Sequence, residues 1–218
     1  MNNIKNLLKL TVTLAFMLAV ALLVKTDAKA ADHASVGDYL VKDGIRYVIT
    51  QAATDSDAGC VSVAGVEDSS LTKVVIYGTV YDTSHNDDEY SCTAMNSSAF
   101  KNNTKITEVW LNESVQIKTI PSYAFYGCKN LKTVVLRMSC LKTIDKYAFA
   151  KCTNLSTLAI SSTKLTKSSI KANSFKNVKN LTIYVRSSKK SKYVKFISNR
   201  GAKSVTYGGS YVSWLSSL

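Results

Sequence analysis

The chain has 218 residues, of which 46% are hydrophobic and 20% charged, and a formal net charge of +13. These proportions are those of an ordinary soluble domain, and one Pro with nine Gly excludes a linker-rich or low-complexity chain. A mature chain of about 190 residues buries a sizeable core without needing disulfides.

The first residues read as an export signal. Lys5 and Lys9 precede an apolar run, Leu10–Val24, and Ala28-Lys29-Ala30 supplies a small-x-small cleavage site before Ala31. An uncleaved anchor is the alternative, but the run is short for a membrane span. No second apolar stretch follows, so no stable span is expected in the mature chain. The expected organisation is a signal peptide over 1–30, a β-rich cap over 31–91, repeats over 92–187, and a cap and tail over 188–218.

Gly37–Thr50 places β-forming residues on both sides of Asp43-Gly44, a strong hairpin signal. Cys60–Val66 and Lys73–Tyr81 supply further strands. Asp82–Glu89 (DTSHNDDE) is an acidic run whose spacing is not that of a calcium-binding helix–loop–helix, and it is expected to be a solvated loop.

Then the chain repeats itself. Ile117–Cys140 and Leu141–Lys164 are each 24 residues long, abut without a gap and share ten positions. A Phe after a small residue recurs as Phe100, Phe125, Phe149 and Phe175, in steps of 25, 24 and 26. Five residues before each stands Met95, Ile120, Ile144 or Ile170. After each comes a short run with period-2 alternation: Ile106–Leu111, Leu131–Leu136, Leu155–Ile160, and Leu181–Val185, the last one residue short. A period of this size marks a solenoid, in which each unit buries its apolar face by stacking on its neighbours. The segments before each Phe suggest one turn of α or 3₁₀ structure. The four Phe are expected to form a buried ladder.

This pattern, L-x-x-I-x-x-x-A-F-x-x-C-x-x-L-x-x-V-x-I, resembles the BspA-type leucine-rich repeat of secreted and surface proteins. The match is fullest at Leu141, Ile144, Ala148, Phe149, Cys152, Leu155, Leu158 and Ile160, and extends over Cys92–Val185. The resemblance implies a leucine-rich repeat solenoid with parallel strands on one face, between an irregular β-rich N-terminal cap and a short basic C-terminal cap. It also implies adhesion or interaction at the cell surface, although a fold by itself does not carry a function.

After the repeats, KKSKYVKFISNRGAKSV reads as a basic helix around Tyr193–Ser198, stopped near Gly201 and followed by a strand near Ser204–Tyr207. Val194 and Ile197 would dock that helix on the end of the stack. Lys189, Lys190, Lys192, Lys195, Arg200 and Lys203 form a candidate basic patch. Residues 31–100 hold eleven acids and three bases, while residues 101–218 hold three acids and 21 bases. The basic half suits anionic polymers, or is simply a solvated lysine-rich surface. No specific nucleic acid is expected.

Cys128 and Cys152 fall in one repeat slot, where Val178 stands in another copy, and Cys92 aligns with Ile117 and Leu141. Three of the five cysteines therefore read as small core residues. Cys60 and Cys140 have no such alignment, and a pair between them stays open. Neither a metal-ligand spacing nor a nucleophile motif is present, so no catalytic residue, metal or cofactor is expected.

If the alternating residues above point inward, their neighbours point outward. Stacked strands then present Trp110, Val135, Ala159 and Tyr184 in one row, with Asn112, Arg137, Ser161 and Arg186 in another. Trp110, Arg137, Tyr184, Arg186, Val135 and Asn112 are the candidate binding face, because exposed aromatics and Arg are the residue types that anchor interfaces. Two functions fit. One is an exported recognition or adhesion module for a surface protein or glycan. The other is a wall-associated structural protein held by its basic half.

Overall fold

In the computed structural model, which describes residues 33–85 and 87–218, the fold is almost wholly strand and turn. The signal-peptide expectation over 1–30 lies outside the described residues. Residues Ala34–Leu218 form one compact unit.

The chain enters through a hairpin of β1 (Tyr39–Lys42) and β2 (Ile45–Gln51). Asp43 and Gly44 form its two-residue turn with φ of 52° and 73°, the left-handed pair that matches strand twist and that Asp-Gly favours. Next come β3 (Gly59–Val66), β4 (Lys73–Ile76), β5 (Thr79–Asp82) and β6 (Asp88–Met95). Five of these strands form one sheet in the order β1-β2-β3-β6-β5. The single strand expected over Lys73–Tyr81 is instead two strands in two sheets. The break falls at Tyr77-Gly78, where Gly78 lies so close to Ser114 that a Cβ would strike its carbonyl.

The repeat strands are β7 (Glu108–Leu111), β9 (Thr133–Leu136), β11 (Thr157–Ile160) and β12 (Asn180–Val185). With β4 at one edge and β13 (Ser204–Ser210) at the other, they make a six-stranded parallel sheet, in the order β13-β12-β11-β9-β7-β4. The repeat sheet therefore begins inside the expected cap, at β4. The short fourth run keeps its register: Leu158 pairs with Ile183 and Ile160 with Val185. The minor strands β8 (Thr119–Ile120) and β10 (Thr143–Ile144) pair in parallel, and Ile144 bridges Ile170.

The core confirms the ladder. Phe100, Phe125, Phe149 and Phe175 are buried, and successive rings lie 5.1, 5.2 and 5.3 Å apart at 4°, 3° and 14°. Each ring adds stacking to its burial.

The segments flanking each Phe are not helical turns. Two residues per unit have positive φ, one two before the Phe and one two after it: Ser98 and Asn102, Tyr123 and Gly127, Tyr147 and Lys151, Asn173 and Asn177. A left-handed residue breaks a helix, and the chain instead makes consecutive tight turns, such as Tyr126 N–H to Tyr123 C=O and Cys128 N–H to Phe125 C=O. The amides between these turns are freed to donate to the next coil. Phe125 N–H reaches Ala148 C=O at 2.8 Å, and Gly127 N–H reaches Ala150 C=O at 2.9 Å. These inter-coil bonds offset the cost of the strained residues.

Candidate binding face on the parallel sheet

Parallel pairing carries side chains of one kind into rows. Val109, Val134, Leu158 and Ile183 point into the core and are fully buried. On the opposite side, pairing aligns Trp110 with Val135, Val135 with Ala159, and Ala159 with Tyr184, as the sequence register predicts.

That row is not open to solvent at its centre. Val135 and Ala159 are fully buried, because a short helix lies across them. The chain leaves β13 through Gly208-Gly209 and folds back as Tyr211–Leu215. Tyr211, Trp214 and Leu215 pack with Val135, Ala159, Trp110 and Tyr184 into a second apolar cluster, separate from the main core. The Trp214 ring lies between Tyr184, at 5.0 Å, and Trp110, at 6.4 Å. Gly208 is required here, since a Cβ would run into the Tyr184 ring and Thr182. Sequence reasoning misses this covering helix. Its only signal is Tyr211-x-x-Trp214-Leu215 after a Gly pair, an i, i+3, i+4 pattern too short to stand out.

The rim is polar. Trp110 Nε1 donates to Glu108 Oε2 at 3.1 Å, and Lys73 Nζ lies 3.8 Å from that same oxygen and 5.0 Å from the indole centroid. These contacts hold the indole in one orientation. Arg137 donates to Asn112 Oδ1 at 3.4 Å and to Glu113 Oε2 at 3.3 Å, and its guanidinium lies close enough to the Tyr211 hydroxyl to act on it. Burial pushes the Tyr211 phenol up from its ordinary pKa, with Arg137 pulling the other way. Arg186 is exposed, with its Nε on Ser161 C=O at 3.4 Å.

The basic patch divides in two. The expected helix is present as α1 (Lys190–Ser198), anchored through Tyr193 and Ile197, while Val194 is only half-buried. Val194 packs against the core as expected, and Tyr193 adds a hydroxyl that donates to Ser162 C=O at 3.0 Å. Lys190, Lys192, Lys195 and Lys203 are exposed, and Lys189 is half-buried. Lys190 lies 4.8 Å over the Tyr207 ring. Arg200 instead staples the coil: its Nε donates to Ile170 C=O, and its Nη2 to Lys167 C=O at 2.7 Å.

Two further clusters bear on chemistry. In the acidic segment Thr83, Ser84, Asp87 and Glu89 are exposed, as expected of a solvated loop, but Asp82 and Asp88 are buried. Asp82 accepts from the Ser84 hydroxyl at 2.5 Å and the Ser84 amide at 3.0 Å, and its other oxygen lies 2.9 Å from His85 Nδ1. Burial alone would raise the Asp82 pKa, but these bonds outweigh it and hold the carboxyl below its usual range. The trio is not a hydrolytic relay. Ser84 Oγ also sits on Nδ1, at 2.9 Å, whereas a relay needs nucleophile and carboxylate on opposite ring nitrogens.

All five cysteines are free. The Cys128 and Cys152 thiols donate to Phe100 and Phe125 C=O, each at 2.9 Å, so the shared slot holds a hydrogen-bond donor as well as a filler. Burial pushes the Cys92 and Cys128 thiols up to about 12, and Cys152 well above its ordinary value.

Comparison with known proteins agrees with this architecture. No curated protein matches the chain. Among solved structures, a leucine-rich repeat protein from Bacteroides capillosus is 20% identical with a TM-score of 0.50, over 66% of this chain and 97% of that one. A leucine rich cell surface protein from Faecalibacterium prausnitzii is 17% identical with a TM-score of 0.51, over 78% of this chain but 43% of that longer one. At these identities the likeness speaks for the fold. The family model for the BspA type leucine rich repeat region matches six copies over residues 84–200, more than half of the chain. The 24-residue coil, its Phe ladder and that match together make this chain a member of the BspA-type leucine-rich repeat family.

Proposed function

We propose that the chain is an exported, non-catalytic recognition module, which binds a protein or glycan at the cell surface through the outer face of its parallel sheet. The observation that carries this reading is the half-buried pair Trp110 and Tyr184, held in strand register on either side of Trp214, with Arg137 and Arg186 just past the ends of β9 and β12. Aromatic and Arg side chains on a rigid scaffold bind with little ordering cost. Membership of a family of surface repeat proteins supports the setting, and the A-x-A site before Ala31 supports export. Among the described residues no helix is long and apolar enough to cross a membrane.

A second reading rests on charge. Exposed Lys190, Lys192, Lys195 and Lys203 at one end of the stack would hold anionic polymer without sequence or shape specificity. The test is an array of glycans and extracellular proteins probed with residues 31–218 at low and high salt, beside Trp110→Ala. A discrete hit that persists in salt and fails in the variant supports the recognition module. Diffuse binding erased by salt and indifferent to Trp110 supports the polymer reading, because exposed charge contacts are screened.

A further inference from the structure

We propose that Tyr211–Leu218 is a displaceable plug, and that the face beneath it takes a partner segment carrying an aromatic ring together with a carboxylate. The inference rests on the outer face being the binding surface.

The plug is held from one side only. A five-residue helix has no stability of its own in water, so its contacts with the sheet hold it. Tyr211, Trp214 and Leu215 make those contacts, whereas Val212 is 61% exposed and Leu218 70% exposed. The cluster it closes is separate from the Phe core. Lifting the plug therefore uncovers Trp110, Val135, Ala159 and Tyr184 without opening the solenoid. What lies between Trp110 and Tyr184 is an aromatic ring, supplied in this state by Trp214. The slot thus displays the chemistry of its ligand.

The plug fills that slot incompletely. Arg137 is met at its terminal nitrogens by Asn112 and Glu113 and lies close to the plug's Tyr211, but its Nε is buried and has no partner among the described residues. Arg186 is exposed, and its Nε donates to the Ser161 carbonyl. Arg137 already has the Glu113 carboxylate, whereas residues 211–218 (YVSWLSSL) contain no acidic side chain to bring one to Arg186. A cleft of about 460 Å³ lies elsewhere in the N-terminal sheet, but here a space of ≈ 310 Å³ opens directly beside Trp214, lined by Tyr184, Gly208, Gly209, Ser213 and Ser217. A ligand with a ring for the slot and a carboxylate for Arg186 would make charge-assisted bonds that the plug cannot. Until such a ligand arrives, a tethered competitor at about millimolar effective concentration keeps weaker aromatic ligands off.

The test uses residues 31–218 and a labelled peptide of residues 210–218, SYVSWLSSL, with fluorescence anisotropy as the readout. The wild-type chain should bind the peptide at least about tenfold more weakly than Trp214→Ala or Leu215→Ala, because the tethered copy competes. Adding Trp110→Ala to either variant should abolish capture. Peptides carrying Ser213→Glu, Ser216→Glu or Ser217→Glu should include one that binds about tenfold tighter, a gain lost with Arg186→Gln. Equal peptide binding by the wild type and both folded variants, or none by any, would overturn the plug; a set with no acid-dependent gain would overturn the carboxylate. On the array, Trp110-dependent hits of equal strength in wild type and Trp214→Ala would also sink the plug while leaving the recognition module standing. Peptide capture by the variants without any array hit would do the reverse.

Discussion

Phe149→Ala should be among the most damaging single changes in this chain. Its ring is fully buried and stacked on both faces, by Phe125 at 5.2 Å and Phe175 at 5.3 Å. Truncating a core Phe costs about 3–5 kcal/mol in lost burial and residual cavity. Each stack adds about 0.5–1.5 kcal/mol beyond burial, which places Phe149→Ala toward or above the top of that range. Phe100 is almost as buried but is stacked only on Phe125 among the ladder residues. Phe100→Ala should therefore cost less than Phe149→Ala by about one stack. Domains of this kind have about 5–15 kcal/mol in all, so the central variant is close to unfolding. With a urea slope of about 2 kcal/mol/M, a loss of about 4 kcal/mol lowers the midpoint by about 2 M. Equilibrium denaturation followed by circular dichroism measures both variants. A cost for Phe149→Ala below about 1.5 kcal/mol, or a larger cost for Phe100→Ala, would refute the ladder as the spine of the fold.

Other changes test the remaining parts. Asp82 has a folded-state pKa below its unfolded value of about 3.9, so its contribution is present above that value and is lost as pH falls through the lower folded one. Asp82→Asn should accordingly destabilise by about 1–3 kcal/mol at neutral pH, with the gap closing in acid; a gap that widens on acidification contradicts the assignment. In thiol labelling of the native chain, half-buried Cys60 and Cys140 should react first, with Cys92, Cys128 and Cys152 protected until unfolding. Rapid labelling of all five would show that the core is open. Gly78→Ala should cost about 1–3 kcal/mol through overlap with the Ser114 carbonyl, read as a lowered melting temperature; an unchanged melting temperature would mean that β4 and β5 do not turn there as described.

The parts of the fold legible in sequence are those that repeat or turn locally. The 24-residue period locates β7, β9, β11 and β12 and the Phe ladder, because a stacked coil must place like residues in like slots. Asp43-Gly44 announces its hairpin because few residue pairs accept two positive φ angles. The tight turns around each Phe read as helical in the sequence, since Tyr, Ala and Lys do not advertise a left-handed backbone; inter-coil amides impose it. The burial of Asp82 is masked by a run of charges, as its partners Ser84 and His85 sit in the same turn and satisfy the buried carboxylate without any long-range signal. The plug is hidden for the opposite reason. Trp214 depends on Trp110, more than a hundred residues away, and nothing in YVSWLSSL names that partner. Outward direction of the Trp110–Tyr184 row is readable from alternation, but its exposure is decided by a segment from another part of the chain.

The most direct measurement compares two variants on the strongest array hit. Trp110→Ala removes one of the row's two aromatic anchors at unchanged charge, and a quadruple Lys→Gln change at Lys190, Lys192, Lys195 and Lys203 removes four positive charges at unchanged row. Recognition by the sheet face predicts that Trp110→Ala loses binding by about tenfold or more, about 1.4 kcal/mol, while the quadruple variant keeps it. Binding lost with the lysines and retained without Trp110, or no binding by the wild-type chain, would contradict the account.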